Sequence, residues 1–335
     1  MPLRLLEVTV PAEGLDEVSG LLEETSAVDV SIVRSTDGPG LVRILVDSHD
    51  SEAMSDLLCE RFESHPAFRL VMLPVEATVP TVEEPEEEAE EPAERGHGPA
   101  RVSREELYED VSEASRLTHV YVVMVALSTI VAAVGLLRGD VAIIIGAMVI
   151  APLLGPNIGL SLAATLGDPK LARRALRATA AGVATVAAVA LLLGAVLTVN
   201  PSVPELAART RADLGDVALS LAAGAAGTLA FTGGVPAVVV GVMVAVALLP
   251  PLVAAGLLFG AGYPTAAFGA VLLVVTNVTC VNLAAIATFL LQKVQPRTWW
   301  EADRAKRASR MAMATWIVML AILIGLMLFG VVETG

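Results

Sequence analysis

Seven stretches between residues 120 and 331 are long and apolar enough to read as membrane-crossing helices, and nothing else in the chain constrains its fold so strongly. They run over residues 120–137, 141–166, 178–199, 217–231, 235–259, 266–291 and 311–331. A bilayer offers the backbone no water to hydrogen-bond, so a segment of this length must satisfy its N–H and C=O groups internally, as a helix does. A chain that is 55% hydrophobic and 17% charged, with a mean hydropathy of +0.70, is excluded from the soluble globular class. The fourth stretch is the shortest and is rich in Gly and Ala, so whether it crosses has to be decided by topology.

Short cytoplasmic loops carry an excess of Lys and Arg. Lys170, Arg173, Arg174 and Arg177 follow the second stretch, and Lys293, Arg297, Arg304, Lys306, Arg307 and Arg310 follow the sixth. The two basic loops share a side only if four segments lie between them, which requires the fourth stretch to cross. The expected topology has a cytoplasmic N-terminus and an external C-terminus in a bacterial inner membrane. No basic, apolar leader opens the chain, so no cleavable signal peptide is expected and the first span acts as the insertion signal.

The net charge of −14 is unevenly placed. Residues 1–118 hold 28 of the 36 acids and 9 of the 22 bases, a balance of −19, which leaves +5 on the rest. Within the acidic part, residues 3–10, 28–34, 41–46 and 68–75 alternate as strands, and residues 14–25 and a segment from Asp50 or Ser51 to His65 read as helices. Leu15, Val18, Leu21 and Leu22 would line one helix face, and Leu57, Leu58 and Phe62 the other helix's sheet side. This βαββαβ order predicts a ferredoxin-like soluble domain over residues 1–76. Its acidity and its lack of basic, aromatic strands exclude nucleic acid as a partner. Residues 77–102 form a linker with eight Glu, repeated Pro and no aromatic residue, a composition too polar to bury a core. Ser103 and Glu106 then fit a capping box for a lead-in helix over residues 103–118.

Residues 146–163 align without a gap on residues 241–258, an offset of 95, and the same shift carries the first stretch onto the fourth and the third onto the sixth. Three spans followed by three spans make an inverted-topology repeat over residues 119–199 and 214–292, completed by a basic interfacial helix at 293–310 and a final span at 311–332. Trp299 and Trp300 would seat that interfacial helix at the headgroups, with its bases towards anionic lipid. The second and fifth spans carry Pro152, Gly155 and Pro156 and the pair Pro250 and Pro251. Proline removes a helix hydrogen bond and clashes with the preceding turn, so both spans are expected to break. Paired broken helices point to a transporter's central site. The polar residues beside them, Asn157, Ser161, Asn277 and Asn282, complete a candidate substrate site with Pro152, Gly155, Pro156, Pro250 and Pro251. No Asp, Glu, Lys or Arg stands at the centre of a span, so a permeant species would be a small solute or ion handled by amides, hydroxyls and backbone groups.

Enzyme signatures are missing: no HExxH, P-loop, nucleophile elbow or dinucleotide-binding glycine pattern occurs. Cys59 and Cys280 have no metal-site or disulfide company, and no cofactor is expected. The motifs at 146–169, 241–262 and 276–289 resemble those of the bacterial and archaeal hydrophobic membrane proteins grouped as domain of unknown function 389. That resemblance implies the membrane class and carries over no catalytic residue. The reading that emerges is a transporter or channel for a small solute or ion, regulated by its N-terminal domain; the alternative is a receptor or scaffold whose ferredoxin-like domain senses a ligand. Close-packing pairs such as Gly155 and Gly159 or Gly256 and Gly260 suit contacts within one chain or within a homo-oligomer.

Overall fold

Alternation with a period of two puts Leu6, Val8 and Val10 of strand β1 (Leu3–Val10) and Val42, Ile44 and Val46 of β3 (Gly40–Asp47) on one buried sheet face. Helix α1 (Leu15–Glu23) covers that face with Leu15, Val18 and Leu22, and α2 (Ser51–Phe62) with Met54, Leu58 and Phe62. In this computed structural model, residues 3–23, 25–34, 38–48, 50–75, 78, 102–234, 237–296 and 299–328 are described; the side chains of 23, 237–247 and 299–301 are not. The acidic linker therefore lies outside the described residues except at its margins, and so do the indoles of Trp299 and Trp300.

Two compact units divide the chain, Met1–Leu107 and Tyr108–Gly335. In the first, β2 (Asp29–Val33) and β4 (Arg69–Val75) flank β3 and β1 in the order β2-β3-β1-β4, and every neighbouring pair is antiparallel. Two sequence expectations need correction. Leu57 is only half-buried, because positions four apart share a helix face and Met54, Leu58 and Phe62 already form that row. Neither Asp50 nor Ser51 caps α2: the Asp50 carboxylate accepts from the Ser26 hydroxyl at 2.7 Å, and the Ser51 hydroxyl donates to the Ser48 carbonyl at 2.7 Å.

Helix α3 (Arg104–Ala114) starts on half of the expected capping box. The Glu106 N–H donates to Ser103 Oγ at 3.2 Å, but the Glu106 carboxylate pairs with Arg4 at 3.1 Å. Arg104, 9% exposed, pairs with Asp56 at 2.8 Å and also with Glu105.

The second unit is helical. Thr118, Asp140, Asp168 and Asp213 each accept N–H bonds at the start of a helix: α4 (His119–Arg138), α5 (Val141–Ile150), α7 (Pro169–Val196) and α9 (Leu214–Thr232). Three of the four caps are carboxylates at span ends, where they satisfy orphan donors and face the positive end of the helix dipole. Helix α6 (Leu154–Leu166) ends on left-handed Gly167, and α8 (Pro204–Ala207) is one short turn. Helices α10 (Ala237–Gly260), α11 (Pro264–Leu291) and α12 (Trp299–Leu328) complete the unit.

By length and composition α4, α7, α9, α11 and residues 302–328 of α12 can cross a membrane, and α5 with α6 makes a sixth span bent by 53°. The fourth stretch is thus a full 19-residue helix, α9. Helix α11 is the most enclosed, with 61% of its apolar window buried, whereas 6% of that of α12 is. The expected separate interfacial helix and final span are one continuous helix, α12, since no Pro or Gly interrupts residues 299–324. The expected break at Pro250 and Pro251 is likewise absent: α10 is one uninterrupted helix through both.

The two basic segments come together. Ser309 Oγ on α12 lies 3.4 Å from the Thr165 carbonyl of α6, and Gly167, just before α7, has room for no side chain because a Cβ would stand 3.0 Å from the Ala305 Cα. At this end the Tyr108 hydroxyl donates to Asp168 at 2.6 Å. Burial first, and then the carboxylate, push the Tyr108 phenol up to about 12. Burial opposes Asp168 ionisation, but the phenol and the N–H groups of Lys170 and Leu171 outweigh it and hold the carboxyl below its usual range. A raised phenol contributes stability that is complete below pH 10 and lost as pH rises through about 12; the lowered carboxyl contributes above its ordinary pKa and loses this as pH falls through the lowered one. Ultraviolet titration, with Tyr108→Phe to identify the signal, should show this tyrosinate forming near pH 12, and Asp168→Asn should bring the transition back towards 10. An unchanged transition in Asp168→Asn would refute the pairing.

Candidate functional site

The bend between α5 and α6 begins where Ala151 turns to extended geometry, with ψ 116°, and Pro152 supplies no N–H to continue the ladder. Pro156 stands in the first turn of α6, where an N–H would have no partner within the helix anyway. The ladder of α5 therefore stops at Pro152, and α6 starts afresh with Pro156 already inside its unpaired first turn, which accounts for a sharp bend between the two. At Pro250 and Pro251 the missing bonds are adjacent in one turn, freeing the carbonyls of Val246 and Ala247 while neighbouring bonds hold α10 on course.

The first turn of α6 presents Asn157, and the next presents Ser161. Across from them on α11 stands Asn282. Its Nδ2 donates to Asn157 Oδ1 at 3.2 Å and to the Val278 carbonyl at 2.8 Å, and its Oδ1 accepts from Ser161 Oγ at 2.9 Å. Asn157 Nδ2 donates to the Leu153 carbonyl at 3.2 Å, which ties the network to the bend itself. All three side chains are at most 4% exposed. In hydrocarbon an amide without partners costs several kcal/mol, so such a closed arrangement is the low-energy way to keep two amides at this depth, at about 4–8 kcal/mol per unpaired group in an alkane reference.

The remaining predicted residues distribute around this centre. Asn277 lies on a different side of α11, and its Oδ1 accepts from Ser220 Oγ of α9 at 2.8 Å. Five residues along a helix turn the side chain by about 140°, so Asn277 and Asn282 serve two different seams. Ser220 was not among the sequence candidates; its only signal was a hydroxyl within an otherwise apolar, Ala-rich run. Gly155 and Gly159 are packed against the end of α3: a Cβ on Gly155 would stand 2.5 Å from the Ala114 carbonyl oxygen, and one on Gly159 would collide with the Ser115 hydroxyl. Ser115 Oγ donates to the Gly155 carbonyl at 3.2 Å. Pro250 and Pro251 are buried among apolar neighbours, since Leu249 and Val253 join Met148, Ala151 and Leu153 in one cluster. The proline segments are thus flanked by one apolar cluster, while Asn157 and Ser161 meet Asn282 of α11 instead. Among the described residues no three His, Cys, Asp or Glu side chains are grouped to hold a metal ion.

Residues 148–283 match the family described as domain of unknown function (DUF389). An uncharacterised protein of Methanocaldococcus jannaschii is 35% identical over 322 residues, covering 95% of this chain and 97% of that protein. The chain belongs to the DUF389 family. No solved structure matches it. The DUF389 match opens two residues before the end of α5 and closes one residue after Asn282, so it takes in the bend, both prolines of α10 and the whole amide network. It leaves out all of α3, α4 and α12.

Proposed function

We propose that this DUF389 protein is a transporter or channel for a small solute or ion, with its central site at the Asn157, Ser161 and Asn282 seam beside the bend. The observation that carries the reading is a buried, uncharged amide–hydroxyl network tied by Asn157 to the carbonyl of a broken span. Buried amides and hydroxyls inside membrane helices join helices or line a pathway, and irregular backbone at that depth is tolerated where it is buried in protein or lines a cavity.

The inverted repeat has support in helix pairing. Exchange of the halves turns α4 against α7 into α9 against α11, α4 against α5 into α9 against α10, and α6 against α7 into α10 against α11; all six pairings occur. The inter-repeat seams α7 against α10 and α11 against α6 also exchange, and both occur. Under the offset of 95, Ser161 falls on Gly256. In one seam Gly256 lets α10 close on Ala190; in the other the equivalent position carries a hydroxyl bonded to Asn282. One seam is therefore tight and apolar and the other polar, which favours the α6–α11 side as the pathway.

Counting α10 as a crossing gives seven spans, and the convergence of the two basic segments supports placing that end, with the N-terminus, in the cytoplasm. The antiparallel order β2-β3-β1-β4 with two covering helices fits a ferredoxin-like reading of the N-terminal unit, to which the proposal gives the regulatory role. The inner membrane and a homo-oligomer belong to the same proposal, and no catalytic role is part of it.

The test is uptake into proteoliposomes of a panel of potassium, sodium, chloride, urea and glycerol. At least one should move faster through the wild type than through Asn157→Leu; equal rates for all five would sink the proposal. A receptor or scaffold is the second reading, favoured by the closed state of the amide network, and it would be upheld by ligand binding to the N-terminal unit with no flux under any condition.

A further inference from the structure

A half-open groove of about 260 Å³ lies between the end of α11 and the basic part of α12, walled by Leu290, Val294, Ala302 and Met313, with Lys306 and Arg310 at its polar margin. Its position along α12 is informative. Arg304, Lys306, Arg307 and Arg310 belong to the turns that wall it, and from Met311 to Leu328 the helix carries no charge and exposes Met311, Ile317, Val318, Ile322 and Leu328. The groove sits where this helix changes from basic to apolar, which is the chemistry of the boundary between headgroups and acyl chains. Lys306 and Arg310 are four apart and share a face. Among the described residues neither forms an ion pair, and the groove supplies no carboxylate.

We propose that this groove binds one anionic phospholipid, its phosphate held by Lys306 and Arg310 and the upper part of an acyl chain lying against Leu290, Val294 and Met313. Charge selects the occupant. A zwitterionic lipid brings its own cation to the two bases, whereas an anionic headgroup leaves them unopposed. Beyond Met313 helix α12 is apolar and little buried, and the rest of the acyl chain would run along it. A free phosphate would satisfy the bases and leave the apolar wall uncovered, so the wall distinguishes a lipid from an inorganic anion. The inference rests on α12 crossing the bilayer, as in the proposed topology, and not on any flux through the α6–α11 seam.

The full-length protein is reconstituted in nanodiscs containing equal amounts of phosphatidylglycerol and phosphatidylcholine with matched chains, extracted in detergent, and its retained lipid measured by mass spectrometry. Wild type should retain phosphatidylglycerol in about thirtyfold excess, as expected of two bases near an anionic headgroup. Lys306→Gln with Arg310→Gln should bring the ratio close to one. The charge-keeping pair Lys306→Arg with Arg310→Lys should preserve the excess, as should Arg209→Gln, which removes a base elsewhere. Ala302→Trp fills the groove and keeps both bases; it should lose the retained lipid. An unchanged ratio in the double Gln variant, retention by Ala302→Trp, or release of the phosphatidylglycerol by inorganic phosphate would each overturn the assignment.

Discussion

On the transport reading, Asn282→Leu should cut the flux sharply and leave the protein folded. Leucine matches asparagine in size, so α11 and α6 keep their spacing, but Asn157 Oδ1 loses its donor and Ser161 Oγ its side-chain acceptor. Ser161 can fall back on the Asn157 carbonyl of its own helix, 3.3 Å away. Interhelical hydrogen bonds of this kind contribute about 0.6–2 kcal/mol in membrane proteins, too little to unfold a unit with this much buried surface. A contact to a permeant ion is worth about 1.5–3 kcal/mol, which predicts a flux loss of about tenfold to a hundredfold. Asn277→Leu is the matched control. It removes the partner of Ser220 on the α9 seam, with the same change in side chain and a similar cost in stability. Flux measured in proteoliposomes should fall in Asn282→Leu and stay close to wild type in Asn277→Leu. Equal losses in both would mean that the amides act only as glue between helices.

That contrast was invisible in the sequence, where Asn277 and Asn282 stood together in one polar run. Helical rotation separates them, and only the packing of α6 and α9 on different sides of α11 reveals which neighbour each one meets. The order of strands and helices in the N-terminal unit was readable because short periodic segments with one buried face declare themselves: Val18 and Leu58 are wholly buried where the pattern put them.

Proline chemistry was readable only in part. A proline states which hydrogen bond is missing, but the consequence depends on the backbone around it. Pro152 falls where Ala151 has already turned extended, and the chain bends there before α6 begins; Pro250 and Pro251 weaken a single turn and the helix persists, held by Leu249, Val253 and Ala254 packed without exposed surface. Residues 293–310 were read as a separate element because their composition changes sharply at Met311. Composition records what surrounds a helix, and it is backbone breakers that end one; with none present, α12 passes from a basic to an apolar environment unbroken.

Gly194→Leu should abolish the folded protein, an effect larger than any substitution in the amide network. Helices α7 and α10 meet through glycines on both sides. A Cβ on Gly194 would lie 2.9 Å from the backbone carbonyl carbon of Leu257 and nearer still to its oxygen; one on Gly256 would stand 2.5 Å from Ala190 Cβ; and one on Gly260 would lie 3.1 Å from the Gly194 carbonyl carbon. The Gly256 and Gly260 pair therefore packs within one chain. Backbone cannot step aside as a flexible side chain can, so even Gly194→Ala should cost about 1–3 kcal/mol by overpacking, and leucine, with three more carbons, must separate the helices. Gly146→Ala and Gly325→Ala, where nothing lies within 4 Å of the added carbon, should be neutral or slightly stabilising, because alanine favours helix over glycine by about 1 kcal/mol. Thermal unfolding followed by size-exclusion in detergent would order the variants, and a monodisperse Gly194→Leu protein would contradict the packing. The seam matters for mechanism too. Interlocked backbones of α7 and α10 leave little room for sliding there, so a conformational change between the halves would take place at the α6–α11 seam, where Ser161 and Asn282 meet through hydrogen bonds that can exchange partners without opening a packed interface.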